Sequence, residues 1–292
     1  GRANGLRAVR RLRGEEMREF EPHVAGVEAL RIEETGIVDF RAVARQFAEE
    51  VHAGGGTIRT GARLHGVERR GGELALETSA GEVRTRTLVN CGGLQSDRIA
   101  RLCGLDPGLR IIPFRGEYYE LAADRRHLVR NLVYPVPDPR FPFLGVHFTR
   151  RIDGAVEAGP NAVLALHREG YERLRVSPRD VIELLAYRGF WRMAARYWRT
   201  GLLELRRSFS RRAFVRALQR LVPDLRPGDV RRAGAGVRAQ AVEPDGLLVD
   251  DFRIVESESM LHVLNAPSPA ATASITIGRR IALRVGRMLG RR

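Results

Sequence analysis

The chain has 292 residues, 43% apolar and 29% charged, enough to bury a core in one large domain or two interleaved ones. Fifty basic residues against 35 acidic ones give a formal charge of +15, and all fifty are arginine. The lack of lysine excludes a pyridoxal phosphate Schiff base, a Walker A loop and a kinase phosphate site, and replacement this complete reads as codon bias rather than selection for nucleic acid.

Two cysteines, Cys91 and Cys103, match no metal or redox spacing and build no disulfide framework. A reducing compartment is the default. No apolar run reaches the ~18 residues of a membrane span, no signal peptide is visible, and the scattered histidines suggest no metal site.

The Arg-rich stretch Gly1 to Gly14 is compatible with a helix. Asp39 is a suitable N-cap for a helix from Phe40, with Phe40, Val43, Phe47 and Val51 on one stripe and Gly54, Gly55 and Gly56 ending it. Strands are expected at Thr57–Thr60, Leu64–Arg70, Leu74–Thr78 and Glu82–Thr87, the last running on through Val89. Gly71-Gly72 and Ala80-Gly81 mark turns between them. A helix is expected over Ser96–Cys103. A Pro-punctuated β-rich block follows, with strands at Gly116–Leu121, Leu132–Tyr134 and Leu144–Arg150. Pro178 to Val222 reads as two or three helices. Strands return at Val230–Val242, Leu247–Val255 and Met260–Ala266, and Ala270 to Leu289 reads as one long helix. A β-rich block between two α/β blocks predicts an α/β (α+β) fold with a discontinuous two-domain layout.

Several blocks could carry chemistry. In Leu88-Val89-Asn90-Cys91-Gly92-Gly93, followed by Ser96-Asp97, a strand meets two glycines and a helix, which suits close backbone approach to a phosphate or a tight turn alone. No G-x-G-x-x-G follows any expected strand. Asn265 to Thr272 is a second strand-to-helix turn, with prolines that fit early helix positions. Arg238, in a strand of small residues, could bind a carboxylate bidentately or be a surface cation. His147 has an unperturbed pKa near neutrality and shares a strand face with Gly145 and Thr149; it reads as a general base or as a hydrogen-bonded sheet histidine. Arg179 to Arg220 holds eleven arginines and three acids. Arg188, Arg192, Arg196 and Arg199 share one helix face, and Trp191, Ala195, Trp198 and Leu202 another. Such a helix can lie on an anionic membrane, or present a solvated face over a buried stripe.

The runs Pro113-Phe114-Arg115-Gly116-Glu117-Tyr118-Tyr119, Tyr134 to Thr149, Gly159-Pro160-Asn161-Ala162, Gly236 to Gly246, Val249-Asp250-Asp251-Phe252 and Asn265 to Thr272 resemble, in order, the FAD-dependent L-2-hydroxyglutarate oxidase/dehydrogenase family of the D-amino-acid-oxidase and glycine-oxidase superfamily. The superfamily pattern G-x-R-P…P-D-G is matched by Gly236, Arg238, Pro244, Asp245 and Gly246, with Ala239 for the proline. A proline- and alanine-rich C-terminal turn in place of a glycine-rich one points to the hydroxyglutarate branch.

The resemblance implies FAD as cofactor, a flavin domain interleaved with an antiparallel-sheet substrate domain, and hydride transfer from the Cα of an L-2-hydroxy acid to flavin N5. It divides the chain into a substrate-domain lead-in (1–35), flavin-domain parts (36–106 and 233–292), and a substrate domain (107–232) with a helical insert (178–222). It implies flavin contacts at Val67, at Asn90, Cys91, Gly92, Gly93, Ser96 and Asp97, and at Asn265, Ala266, Pro267, Ser268, Pro269, Ala270, Ala271 and Thr272. For a small-molecule dicarboxylate substrate, Arg115 and Arg238 are the expected clamps, Tyr118 or Tyr134 the hydroxyl donors and His147 the base. The electron acceptor is oxygen or a membrane quinone, with a cytoplasmic location or a peripheral one at the inner face of the cell membrane through 179–220, and no nucleic acid. A related amino-acid or amine oxidase, and a binding module without catalysis, are the alternatives. The family's opening G-x-G-x-x-G unit is missing here, so the chain is read as N-terminally truncated, with activity expected of the whole enzyme.

Overall fold

A computed structural model of the chain describes residues 3, 5–137, 145–267 and 269–290. The elements are β1 (Val9–Arg13), α1 (Gly14–Phe20), β2 (Glu28–Ile32), α2 (Phe40–Ala53), β3 (Leu64–Arg70), β4 (Glu73–Thr78), β5 (Gly81–Thr85), β6 (Leu88–Asn90), α3 (Ser96–Leu102), β7 (Arg110–Leu121), β8 (His147–Arg150), β9 (Val156–Gly159) and β10 (Val163–Leu164). They continue with α4 (Pro178–Leu185), α5 (Arg188–Phe209), α6 (Arg211–Leu218), β11 (Val230–Val242), β12 (Arg253–Glu256), β13 (Met260–Asn265) and α7 (Ser274–Gly290). The chain forms two units, each assembled from three separate stretches. The first comprises Gly1–Val43, Arg115–Leu164 and Trp198–Gly236; the second comprises Ala44–Phe114, Ala165–Tyr197 and Val237–Arg292. The mixed α/β class agrees with the sequence expectation.

In the first unit β1 and β2 form an antiparallel hairpin. Antiparallel pairing also joins β9 to β7 and to β8, within a sheet ordered β10-β7-β9-β8 to which β11 is added on β7. Alternation along β8 buries Phe148 and leaves His147 and Thr149 on the other face. Phe148 joins Tyr119, Leu121, Val156 and Ala158 against Phe214, Val215 and Leu218 of α6. Ser210 caps α6 by accepting the Ala213 N–H at 3.2 Å. The Glu21 carboxylate, after α1, accepts the Arg130 and Asn131 backbone N–H groups at 2.9 and 2.5 Å. A buried acid thus closes a loop whose own ladder offers no partners.

In the second unit β3, β4 and β5 form an antiparallel meander, and β12, β13 and β6 a second sheet in which β13 and β6 run parallel. The β13 side chains divide between two cores. Leu261 and Val263 pack with Met288, Ile281 and Val285 of α7, while Leu264 packs with Ala100 of α3, Leu109, Ile111 and Ala241. Burial on both faces suits the mostly apolar sequence of β13, in which His262 and Asn265 are the polar exceptions.

Several sequence expectations are corrected. Val9–Arg13 is a strand rather than part of a helix, paired antiparallel with β2. Thr57–Thr60 is not a strand. The run expected from Glu82 through Val89 divides at Arg86-Thr87 into β5 and β6, which belong to different sheets. Around Leu132–Tyr134 only a bridge from Val133 to Phe148 forms, and of Leu247–Val255 only a bridge at Leu248 and β12 remain. The α2 helix forms as expected, yet none of its residues is buried, and Phe40, Phe47 and Val51 are exposed.

Phe214 is fully buried, with its ring 4.6 Å from that of Tyr119. Phe214→Ala should lower unfolding stability by about 3–5 kcal/mol, whereas Phe209→Ala, at a 64% exposed position, should change it by less than about 1 kcal/mol. Denaturant midpoints at constant slope check both.

Candidate active site

The first turn is built around Asn90, the last residue of β6. Its Nδ2 donates to the Ser96 carbonyl at 2.8 Å and reaches His262 Nδ1 at 3.1 Å, and its Oδ1 accepts the Gly92 N–H at 3.0 Å. One buried amide therefore braces both ends of the turn and uses both donors and its acceptor. His262 Nδ1 acts as the acceptor in this network, which places its proton on Nε2. Burial holds its pKa below the ordinary histidine value.

A Cβ on Gly92 would come within 2.4 Å of the tip of the Ile99 side chain, which would have to move aside, and 3.0 Å from Asn90 Oδ1. Gly93 has φ +51°, and a Cβ at that position would stand in open space. Here the requirement is conformational, and bare backbone faces outward. Cys91 is exposed. Ser96 is fully buried and donates to the Leu264 carbonyl at 3.2 Å.

Asp97 is also fully buried. Arg168 pairs with both of its oxygens, the Nη2–Oδ2 contact being 2.9 Å, and the Ile111 N–H donates to Oδ2 at 3.2 Å. Burial pushes its pKa up, but the hydrogen bonds and charge of Arg168, with Arg101 and the Ile111 amide, outweigh it and hold the carboxyl below its ordinary value. The side chains of Asn90, Ser96 and Asp97 thus face inward. This turn fits a group that approaches main chain, as a flavin cofactor does, rather than one gripped by side chains.

The second turn follows β13. Asn265 Nδ2 donates to the carbonyls of Asp251 at 2.8 Å and Val249 at 3.2 Å. Ala266, Pro267 and Ala270 are half buried, and Pro269, Ala271 and Thr272 are exposed; Ser268 lies outside the described residues. Thr272 Oγ1 donates to the Pro269 carbonyl at 2.9 Å. Val67 is half buried in β3, opposite Leu76 of β4.

The expected acid–base residues fall into two groups. In the first unit the rings of Tyr134 and His147 stack, with centroids 4.2 Å apart and planes 18° off parallel. His147 Nδ1 lies 3.1 Å from the Gly145 carbonyl, and Tyr134 Oη lies 3.4 Å from Thr149 Oγ1. With Nδ1–H donating to that carbonyl, Nε2 carries the lone pair. Burial lowers the His147 pKa against the raising effect of the Gly145 hydrogen bond. Tyr118 is half buried; desolvation, then Glu157 and Tyr134, raise its pKa and keep its hydroxyl protonated. Arg115 is buried and pairs with Glu117 at 3.0 Å, and Glu117 Oε2 accepts from Asn161 Nδ2 at 3.1 Å. Arg238 lies in the second unit, half buried within β11, where burial lowers its pKa. Arg168 and His262 join the site without any local motif to mark them, since their partners lie 71 and 172 residues away.

Residues 1–284 match the family described as DAO, FAD dependent oxidoreductase. The chain is 49% identical over 279 residues to an L-2-hydroxyglutarate dehydrogenase of Indibacter alkaliphilus, covering 95% of this chain and 70% of that protein. The chain belongs to this family of FAD-dependent oxidoreductases. An L-2-hydroxyglutarate dehydrogenase of Escherichia coli strain K12 is 43% identical over 279 residues, covering 95% of this chain and 66% of that protein. This chain thus spans about two thirds of its curated relatives' length. Among solved structures, an FAD-bound L-alpha-glycerophosphate oxidase from Mycoplasma pneumoniae superimposes with TM-score 0.74 at 18% identity, covering 99% of this chain and 66% of that one. A glycine oxidase from Geobacillus kaustophilus gives 0.65 at 17%, covering 98% and 65%. At these identities the structures establish the fold.

In an NMR titration, His147 should show a midpoint below the ordinary 6.5. Between 6.5 and that midpoint the unfolded chain binds the proton first, so His147 makes stability fall as the pH drops through this window. A midpoint at or above 6.5 contradicts the burial argument.

Proposed function

We propose that this chain is the greater part of an FAD-dependent dehydrogenase that oxidises L-2-hydroxyglutarate to 2-oxoglutarate. The observation that carries the reading is the 49% identity to an L-2-hydroxyglutarate dehydrogenase across 95% of the chain. Bound FAD supplies the hydride acceptor. In this reading the second unit holds it through the backbone of Cys91-Gly92-Gly93, the turn after Asn265 and the side of β3 at Val67.

The first unit supplies the proton chemistry. His147 is neutral near pH 7, with its Nε2 lone pair available to take the substrate hydroxyl proton as hydride leaves. Stacking on Tyr134 and the Gly145 carbonyl hold the ring in one orientation and one tautomer. Tyr118 or Tyr134 serves as the hydroxyl donor. Arg115 and Arg238 are the candidates for the carboxylate clamps, since a guanidinium can take a carboxylate bidentately. Arg115 is already engaged by Glu117 and would bind a carboxylate only by sharing that pair.

Of the two readings of α5, a solvated face over a buried apolar stripe is not met, because the stripe is exposed. Trp191, Trp198, Leu202, Leu205 and Phe209 repeat at helical spacing and are all exposed. Arg188, Arg192, Arg196 and Arg199 are exposed as well. This combination supports a peripheral contact with an anionic membrane, and with it a membrane quinone as electron acceptor. No helix among the described residues is long and apolar enough to cross a membrane.

His147→Ala in the whole enzyme should cut kcat/KM for L-2-hydroxyglutarate by about 10²-fold or more while flavin stays bound; an unchanged value overturns the assignment of the base. Arg196→Glu with Arg199→Glu should abolish sedimentation with anionic vesicles, and undiminished binding returns α5 to an ordinary solvated helix.

A further inference from the structure

The first flavin turn is gripped by a side chain from a distant part of the same unit. Arg168 lies in the stretch between β10 and α4 and is only 4% exposed. Its guanidinium meets both oxygens of Asp97, and the same Nη1 donates to the Leu94 carbonyl at 2.7 Å. Leu94 is the middle residue of the 3-10 turn Gly93–Gln95. One planar fork therefore holds the turn at a carbonyl and at a carboxylate three residues further on.

Arg168 is itself held from behind. Its backbone N–H donates to Asp180 Oδ2 at 2.8 Å. Asp180 Oδ1 accepts Arg98 Nη2 at 2.5 Å, and the same Nη2 donates to Glu183 at 2.7 Å. Asp180 and Glu183 lie on α4, and Arg98 lies on α3 beside Asp97. Arg101 adds a longer contact to Asp97 at 3.4 Å. Three arginines, Arg98, Arg101 and Arg168, thus face three acids, Asp97, Asp180 and Glu183.

A buried pair of this kind adds little net stability against an apolar replacement, but it fixes geometry. Lysine could supply the charge at position 168, but not the fork that reaches carboxylate and carbonyl together.

We propose that Arg168 is a positioning residue for the flavin: it sets the backbone of Gly92-Gly93-Leu94 against the cofactor without touching it. The inference rests on the reading that this turn contacts FAD.

The test compares the whole wild-type holoenzyme with Arg168→Lys. The FAD dissociation constant should rise about tenfold or more, the visible flavin band should shift, and the gap between holo and apo melting temperatures should narrow. Asp97→Asn, which keeps the acceptor's shape, should give the same changes in smaller measure, and it carries the test if Arg168→Lys does not fold. A purely structural role predicts equal melting losses in apo and holo forms with wild-type FAD affinity and spectrum, and that result overturns the proposal. Wild-type enzyme that binds no FAD removes the cofactor reading and this proposal together. Wild-type that binds FAD, with variants binding it equally, removes this proposal alone.

Discussion

A carboxylate with no exposure must be paired, and the pairing of Asp97 by Arg168 is the constraint on which the second unit's turn depends. Leaving either charge alone in that interior would be strongly destabilising, so both partners must occupy one arrangement. That arrangement also includes the Leu94 carbonyl and the Ile111 amide, and so it joins a turn, the strand β7 and the stretch before α4. Asn90 does the same for the other end of the turn with uncharged bonds. Between these two anchors the backbone at Gly92 and Gly93 has little freedom left. That is the condition a main-chain cofactor site requires, because a loose turn would have to be ordered again on each binding.

In the first unit, order comes from apolar packing. Burial of Phe148 on one face of β8 determines where His147 and Thr149 stand, since neighbouring strand residues point to opposite faces. The stacked Tyr134 ring shields the imidazole, and partial burial lowers the proton affinity that a solvated histidine would have. A neutral imidazole near physiological pH is the form that can accept a proton. The same desolvation raises the Tyr118 pKa and keeps that hydroxyl a donor. Desolvation thus favours the neutral form of both groups.

The sequence was most legible where a local pattern met a local rule. Alternation between turn glycines predicted β3 and β4, the amphipathic repeat predicted α2, and the helices expected from Pro178 open there with α4. The resemblance drew attention to both turns and to the His147 block as runs along the chain. Legibility failed where partners are distant. Nothing around Arg168 marks it as the partner of Asp97, and the run Glu82 to Val89 shows no break because both of its parts are β-prone. Helical spacing gave the stripe on α5 but not its exposure, since periodicity reports which residues share a face and not whether that face is covered.

An enzyme of this kind should have its flavin reduced by an L-2-hydroxy dicarboxylate. Anaerobic mixing of the oxidised whole enzyme with L-2-hydroxyglutarate, glycine, sarcosine or glycerol 3-phosphate tests it in one measurement. Rapid bleaching of the oxidised flavin band by L-2-hydroxyglutarate alone is the expected result. Bleaching by an amine or by glycerol 3-phosphate, with L-2-hydroxyglutarate inert, would contradict it.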